Sequence, residues 1–189
     1  CIIPKLKGRL RSRPMDDILV EAKELINAGY REIVLIGQDT GSYGWDLPVP
    51  ASLDRLLAHL AVLSPGTWFR FLYGSPDRTT DVLIETVAAS DNICSYFDLP
   101  VQHVSGKILK RMGRNGHAAD LAGLFGRIRS TVPDAVLRTT LMVGFPGETA
   151  KDFDALMAFV ETVQFDHVGV FTYSDADDLA SHHLSGHVF

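Results

Sequence analysis

The feature that most constrains this chain is an alternation, running from end to end, of helical apolar periodicity with short apolar runs of strand length. "PMDDILVEAKELINAG" (14–29) sets Ile18, Leu19, Ala22, Leu25 and Ile26 on one helical face, with Pro14 where a first turn tolerates it and Gly29 as a stop. "EIVLIGQ" (32–38) follows as a continuous apolar run, the pattern of a strand covered on both faces. The pair recurs: a helix over 51–62 precedes "WFRFLY" (68–73), and one over 79–89 precedes "SYFDLPV" (95–101). A short helix at 105–112 and a longer one at 117–131, with Leu121, Leu124, Phe125 and Ile128 on one face, lead to "VLRTTLMVG" (136–144). A last helix, 149–163, opens with Thr149 and Asp152 in capping-box spacing and leads to "HVGVFTYS" (167–174).

Five strands alternating with helices predict right-handed crossovers and a parallel sheet, either doubly wound or curled as a barrel. A complete eight-unit barrel takes about 250 residues, so 189 residues with five strands point to a partial (β/α) barrel whose first strand is missing. No Pro/Gly/Ser linker divides the chain, which reads as one domain.

With 46% hydrophobic and 22% charged residues the composition is that of ordinary globular material. No apolar run approaches the roughly 20 residues that span a membrane, and no leader precedes the first strand, so a cytoplasmic enzyme or binding domain with no membrane partner is expected. Two cysteines make no disulfide framework. Cys94, ahead of an apolar run, reads as a buried, inert thiol. Cys1 opens the chain with no Met before it, which reads as a piece of something longer.

The net charge of −5 is unevenly spread. Lys5, Lys7, Arg9, Arg11 and Arg13 fall two apart, so in an extended segment they project to one side; Lys107, Lys110, Arg111 and Arg114 form a second basic patch. Each is either a solvated edge or an anion-facing surface, and the absence of interleaved aromatics makes the stripe weak evidence for nucleic acid.

In either architecture the chemistry gathers at the carboxyl ends of the strands. Those ends are Gln38-Asp39-Thr40, Tyr73-Gly74-Ser75, Gln102-His103, Gly144-Phe145-Pro146-Gly147-Glu148 and Ser174-Asp175. In "GFPGET" the glycines let backbone approach a ligand, Pro146 stiffens the turn, and the helix that follows presents free N–H groups to an anion or an adenine edge. The same letters also suit a plain strand-to-helix turn. Neither the dinucleotide fingerprint nor the P-loop pattern is present. Arg138, inside an apolar strand, needs a carboxylate or phosphate partner, either a ligand carboxylate or a structural ion pair within the protein. His103 reads as a hydrogen-bonded histidine more readily than as a general base.

Taken in order, "CIIPKLKGRLRSRP", "LIGQDTGSYG", "DLPVQHVSGKILKRMGR", "LRTTLMVGFPGET" and "FDHVGVFTYS" resemble the radical S-adenosylmethionine (radical SAM) methylthiotransferases, and most closely the branch that modifies an aspartate of a small-subunit ribosomal protein. The resemblance implies the partial barrel of radical SAM type. It also implies a [4Fe–4S] cluster held by a C-x-x-x-C-x-x-C motif of which Cys1 would be the third thiolate. S-adenosylmethionine would occupy the open iron and yield a 5′-deoxyadenosyl radical that abstracts hydrogen from an unactivated carbon. Gln38 and Asp39 would lie near the methionine end of that cofactor, Gln102 and Ser105 would line the pocket, Arg138 would pair with its carboxylate, and Gly144 and Gly147 would approach its adenine. An electron-donor protein is implied as a second partner. "GQDT", "DLPVQH" and "KRMGR" favour the ribosomal-protein branch over its tRNA-modifying sister.

By the same resemblance residues 1–189 would be the radical SAM core alone, without the N-terminal methylthiotransferase domain and the C-terminal β-barrel of the family. Such a piece should be inactive by itself, and its strand at 32–38 should be an uncovered apolar edge prone to self-association. After "FTYS" the segment "DADDLASHHLSGHVF" departs from the family pattern; His182, His183 and His187 read either as a metal pair on a helix or as a frayed tail. Two other classes compete: an iron-free α/β barrel enzyme that grips phosphate with "GFPGET", and an RNA-binding interaction domain.

Overall fold

Helices and parallel strands alternate along the chain as the periodicity predicts, in a computed structural model that describes residues 3–114, 116 and 118–188. The helices are α1 (Ile3–Lys7), α2 (Met15–Asn27), α3 (Leu53–Ala61), α4 (Asp81–Ala88), α5 (Gly106–Arg111), α6 (Ala118–Thr131) and α7 (Ala150–Val163); the strands are β1 (Glu32–Leu35), β2 (Trp68–Phe71), β3 (Tyr96–Asp98), β4 (Val136–Val143) and β5 (His167–Thr172). Most strands end before the apolar run read from the sequence does, with Ile36, Leu72, Leu99 and Val101 beyond the strand ends. No described helix is long and apolar enough to cross a membrane.

The chain gathers into two units. One comprises Leu10–Leu99 and Ile128–Leu137. In it β1 and β2 pair in parallel, with Ile33 opposite Phe69, and Phe69 bridges onward to Ile93. Val136, at the start of β4, donates to the Ser95 carbonyl at 2.8 Å. Phe69, Phe71, Phe97, Leu57, Leu60 and Leu137 have no exposed surface. The Phe71 and Phe97 rings meet edge to face, 5.8 Å between centroids. The Asn92 side-chain amide ties the end of α3 to the following turn by donating to the carbonyls of Ala61, Ser64 and Thr67. Cys94 is the buried thiol expected; desolvation raises its pKa, against the pull of Arg70, so it stays protonated and unreactive.

The other unit comprises Pro100–Arg127, the residues from Arg138 onward and α1. From Arg138 on, β4 pairs in parallel with β5, with Arg138 opposite His167. Gln102 bridges Leu141 on the other side of β4, taking the Thr140 carbonyl at 2.8 Å and giving its own carbonyl to Met142 at 2.8 Å. Phe125 packs edge to face on Phe165, 4.7 Å between centroids, with Phe159 beside them. The capping box at Thr149 and Asp152 forms as its spacing predicts.

Two expectations are corrected. Lys5 and Lys7 lie in α1, not in an extended segment, so they cannot line up with the other basic residues as a single stripe; Arg13 is paired with Glu21. The segment after β5 is not frayed: Tyr173 donates to Asp175 at 2.8 Å, His182 Nδ1 lies 2.8 Å from the same carboxylate, and His187 stands against the Tyr173 ring.

Apolar side chains remain exposed along β1 and just past it, with Val34 at 41% and Ile36 at 73%. Among the described residues β1 has β2 as its only ladder partner. A strand edge with apolar neighbours recruits other chains, so this chain expressed alone is expected to self-associate with concentration in light scattering. Ile36→Lys should reduce that association; a wild-type chain that stays monomeric at high concentration contradicts the reading.

Candidate functional site

In the unit that holds β1 to β3, the strand ends are stitched to one another. Thr40, just past β1, donates its N–H to the Tyr73 carbonyl at 3.1 Å and its hydroxyl to the Leu72 carbonyl at 2.8 Å. Tyr73, just past β2, has φ 58°, a left-handed conformation rare for a bulky residue. It is held there by N–H donation to the buried Asp98 carboxylate at 3.2 Å, next to Gly74 N–H donating to the Asp98 carbonyl at 2.9 Å. Gln38 is exposed and Asp39 half-buried. One Asp39 oxygen accepts the Ser42 hydroxyl; the other, Oδ1, is buried and has no hydrogen-bond partner among the described residues. A buried carboxylate oxygen in that state is an acceptor waiting for a donor.

In the other unit the expected site residues cluster around the end of β4 and the Gln102–Ser105 segment. Gln102 has φ 68°, a second left-handed non-glycine residue at a strand end. Backbone strain of this kind costs about 1–3 kcal/mol and concentrates at functional sites. His103 is fully buried. Its Nδ1 accepts the N–H groups of Val104 and Ser105, each at 2.9 Å. The Ser105 hydroxyl donates to Asp152 at 2.7 Å, so this side chain ties the start of α5 to the start of α7. The Thr149 and Ser105 hydroxyls, with Lys107 beside them at 3.3 Å, hold the Asp152 carboxyl far below the usual carboxylate range. Arg138 is half-buried, lies along β5 near Gly169, and is not without a partner.

The turn Gly144–Glu148 is built around Glu148, which in the sequence reads only as the approach to a helix. One oxygen of its carboxylate accepts the N–H groups of Gly144 and of Phe145, the latter at 3.2 Å. Gly144 and Gly147 have φ of 76° and 90°, which favour glycine. At Gly147 a side chain would also strike Arg111, whose guanidinium Nη1 lies 2.7 Å from the place of a Cβ. Arg111 donates to the Ser185 carbonyl, and Gly147 donates to the Gly186 carbonyl, each at 2.6 Å, so the C-terminal segment lies on this turn. The local signal for Glu148 is its position directly after the second glycine, one residue ahead of the capping box.

Cys1 lies outside the described residues, and among those described no group of three or more His, Cys, Asp or Glu side chains could hold a metal. Taken unit by unit, the chemistry is compatible with parts of S-adenosylmethionine: in one unit the orphan Asp39 Oδ1 is an acceptor for an N–H donor, and in the other the left-handed glycines Gly144 and Gly147 leave backbone open to the close approach of a flat base.

Parallel strands with outer helices and polar, backbone-strained turns at the strands' carboxyl ends define an α/β protein, a class in which sites gather at those ends. The radical SAM superfamily profile matches residues 1–160. The chain belongs to the radical SAM superfamily. Solved structures share the fold: the radical SAM methyltransferase TsrM from Kitasatospora setae, at a TM-score of 0.66 with 15% identity, covering 87% of this chain and 31% of that one, and coproporphyrinogen III oxidase HemN from Escherichia coli, at 0.64 with 13% identity, covering 92% and 42%. The expected fold class, a radical SAM α/β type with parallel strands and outer helices, is borne out. Among curated proteins, the chain is 54% identical over 188 residues to the ribosomal protein uS12 methylthiotransferase RimO of Desulfosudis oleivorans, and 48% identical over 188 residues to that of Clostridioides difficile. Both alignments take in 100% of this chain but only 43% and 42% of the relatives, so the chain spans less than half their length.

Burial holds the His103 imidazole's pKa below its ordinary value, against the opposite pull of Glu148. The unfolded chain takes up a proton near pH 6.5, where the folded protein does not, so stability is full above that pH and is lost as pH falls from there toward the lower folded value. Thermal melts at about pH 7.5 and about pH 5.5 should show this loss, and His103→Asn should reduce it; an unchanged pH slope in the variant contradicts it.

Proposed function

We propose that this chain is the radical SAM core of a longer enzyme that inserts a methylthio group at an unactivated C–H of an aspartate in the small-subunit ribosomal protein uS12. The observation that carries this reading is the 54% identity to a uS12 methylthiotransferase across the whole of the chain. The tRNA-modifying alternative is less favoured, because relatives at 48–54% identity carry the ribosomal-protein name. The iron-free barrel and the RNA-binding module lose their ground with the family.

The cofactors of the reading are a [4Fe–4S] cluster, with Cys1 as one of its thiolates, and S-adenosylmethionine. Bound together they supply reductive cleavage of a sulfonium and a hydrogen-abstracting 5′-deoxyadenosyl radical. The chain's own residues bind and orient. Asp39, with a buried oxygen lacking a donor, accepts an N–H of the methionine amino group, and Gln38 stands next to it in the chain. Arg138 takes the methionine carboxylate as a charge-assisted pair. Gln102 presents backbone fixed by the Leu141 bridge, and Ser105 holds the pocket wall through Asp152. Gly144 and Gly147 admit the adenine. The uS12 substrate and an electron-donor protein are the partners, and the cytoplasm is the place where both are met.

The test uses the full-length enzyme. The uS12 protein isolated from cells with and without the gene should differ in mass by one methylthio group at a single aspartate, while tRNA nucleosides stay unchanged. Unchanged uS12 together with altered tRNA nucleosides would overturn the assignment in favour of the sister branch.

A further inference from the structure

His103 and Glu148 form a buried pair that the family assignment does not use. The imidazole has no exposed surface, and the Glu148 side chain is 6% exposed. Because His103 Nδ1 accepts two backbone N–H groups, it cannot carry a proton, and the neutral ring keeps its proton on Nε2. That Nε2 is buried and has no hydrogen-bond partner among the described residues; Glu148 Oε1 stands 3.7 Å from it. Oε2 of the same carboxylate accepts the N–H groups of Gly144 and Phe145. The carboxylate therefore holds the glycine turn through one oxygen and faces the imidazole N–H with the other, without a hydrogen bond to it. The charged groups that bear on the ring are Glu148 and, more weakly, Asp152.

An unpaired donor buried this deeply is costly, and a gap of 3.7 Å is slightly too long for a hydrogen bond. A small movement of the turn closes it. The groups that move with the turn are the Gly144 and Phe145 backbone, the segment proposed to face adenine. We propose that His103 is a positioning residue: its Nε2–H, acting through Glu148, sets the Gly144–Phe145 backbone against the adenine end of S-adenosylmethionine, and the contact closes to a hydrogen bond when that ligand binds. The proposal rests on the adenine reading of the turn.

The experiment uses the reconstituted full-length enzyme and two readouts. First, 15N spectra of histidine-labelled enzyme without S-adenosylmethionine should show His103 with its proton on Nε2, and on adding S-adenosylmethionine the Nε2–H resonance should move to the position of a hydrogen-bonded donor. Second, S-adenosylmethionine affinity is measured by equilibrium binding. Asn at 103 can keep the acceptor for Val104 and Ser105 but cannot reach Glu148, whereas Gln can reach it. His103→Asn and Glu148→Gln should each weaken binding by about tenfold, His103→Gln by about threefold or less, and the double variant His103→Asn with Glu148→Gln no more than the worse single change. In Glu148→Gln the amide oxygen must serve the turn, which sets its NH2 against the imidazole donor. Proton on Nδ1, losses that add, or His103→Asn and Glu148→Gln each within about twofold of wild type overturn the proposal. A wild-type enzyme that binds no S-adenosylmethionine but shows the Nε2 tautomer overturns the adenine reading and with it the ligand-driven closure.

Discussion

The turn after β4 depends on one buried carboxylate. Glu148 sits almost out of water, where an anion is costly unless donors surround it. Its donors are two backbone N–H groups of the turn it follows, with the His103 ring placed to add a third. The arrangement bends Gly144 into a left-handed conformation and leaves Gly147 no room for a side chain beside Arg111. Asp152 has a comparable role at the start of α7, where Thr149, Ser105 and Lys107 converge on it. These two carboxylates thus tie the glycine turn and the start of α7 to the Gln102–Lys107 segment.

The same logic governs the other unit. Asp98 is fully buried and receives N–H groups from Tyr73 and Gly74 through its side chain and its carbonyl. A left-handed Tyr73 persists only because these bonds over-determine it. Both units therefore hold backbone strain at the carboxyl ends of strands. The two carboxylates differ: Asp39 keeps a bare oxygen, while both oxygens of Asp152 accept hydrogen bonds.

The alternation of helices and parallel strands was legible because period 3.6 and continuous apolar runs are properties of single segments. The capping box at Thr149 and the inert Cys94 were legible for the same reason. Strand ends were overextended, since an apolar run does not announce where its residues leave the ladder, as Ile36 and Val101 do. The N-terminal basic residues misled because alternation implies one face only in a strand, and Lys5 and Lys7 lie in a helix. Glu148 was legible only as part of the glycine turn at a strand end; its pairing needs His103, distant in sequence, to arrive beside it. The tail after Ser174 looked frayed because its ties, Asp175 to His182 and Gly186 to Gly147, close only in three dimensions.

The central claim is that the turn Gly144–Glu148, set by His103, receives the adenine of S-adenosylmethionine. The most direct test is a crystal structure of the full-length enzyme with the cluster and S-adenosylmethionine bound. The account predicts adenine against the Gly144–Gly147 backbone and a His103 Nε2 to Glu148 Oε1 distance shortened from 3.7 Å to about 3 Å or less. Adenine bound elsewhere, or an unchanged gap with adenine in place, would contradict it.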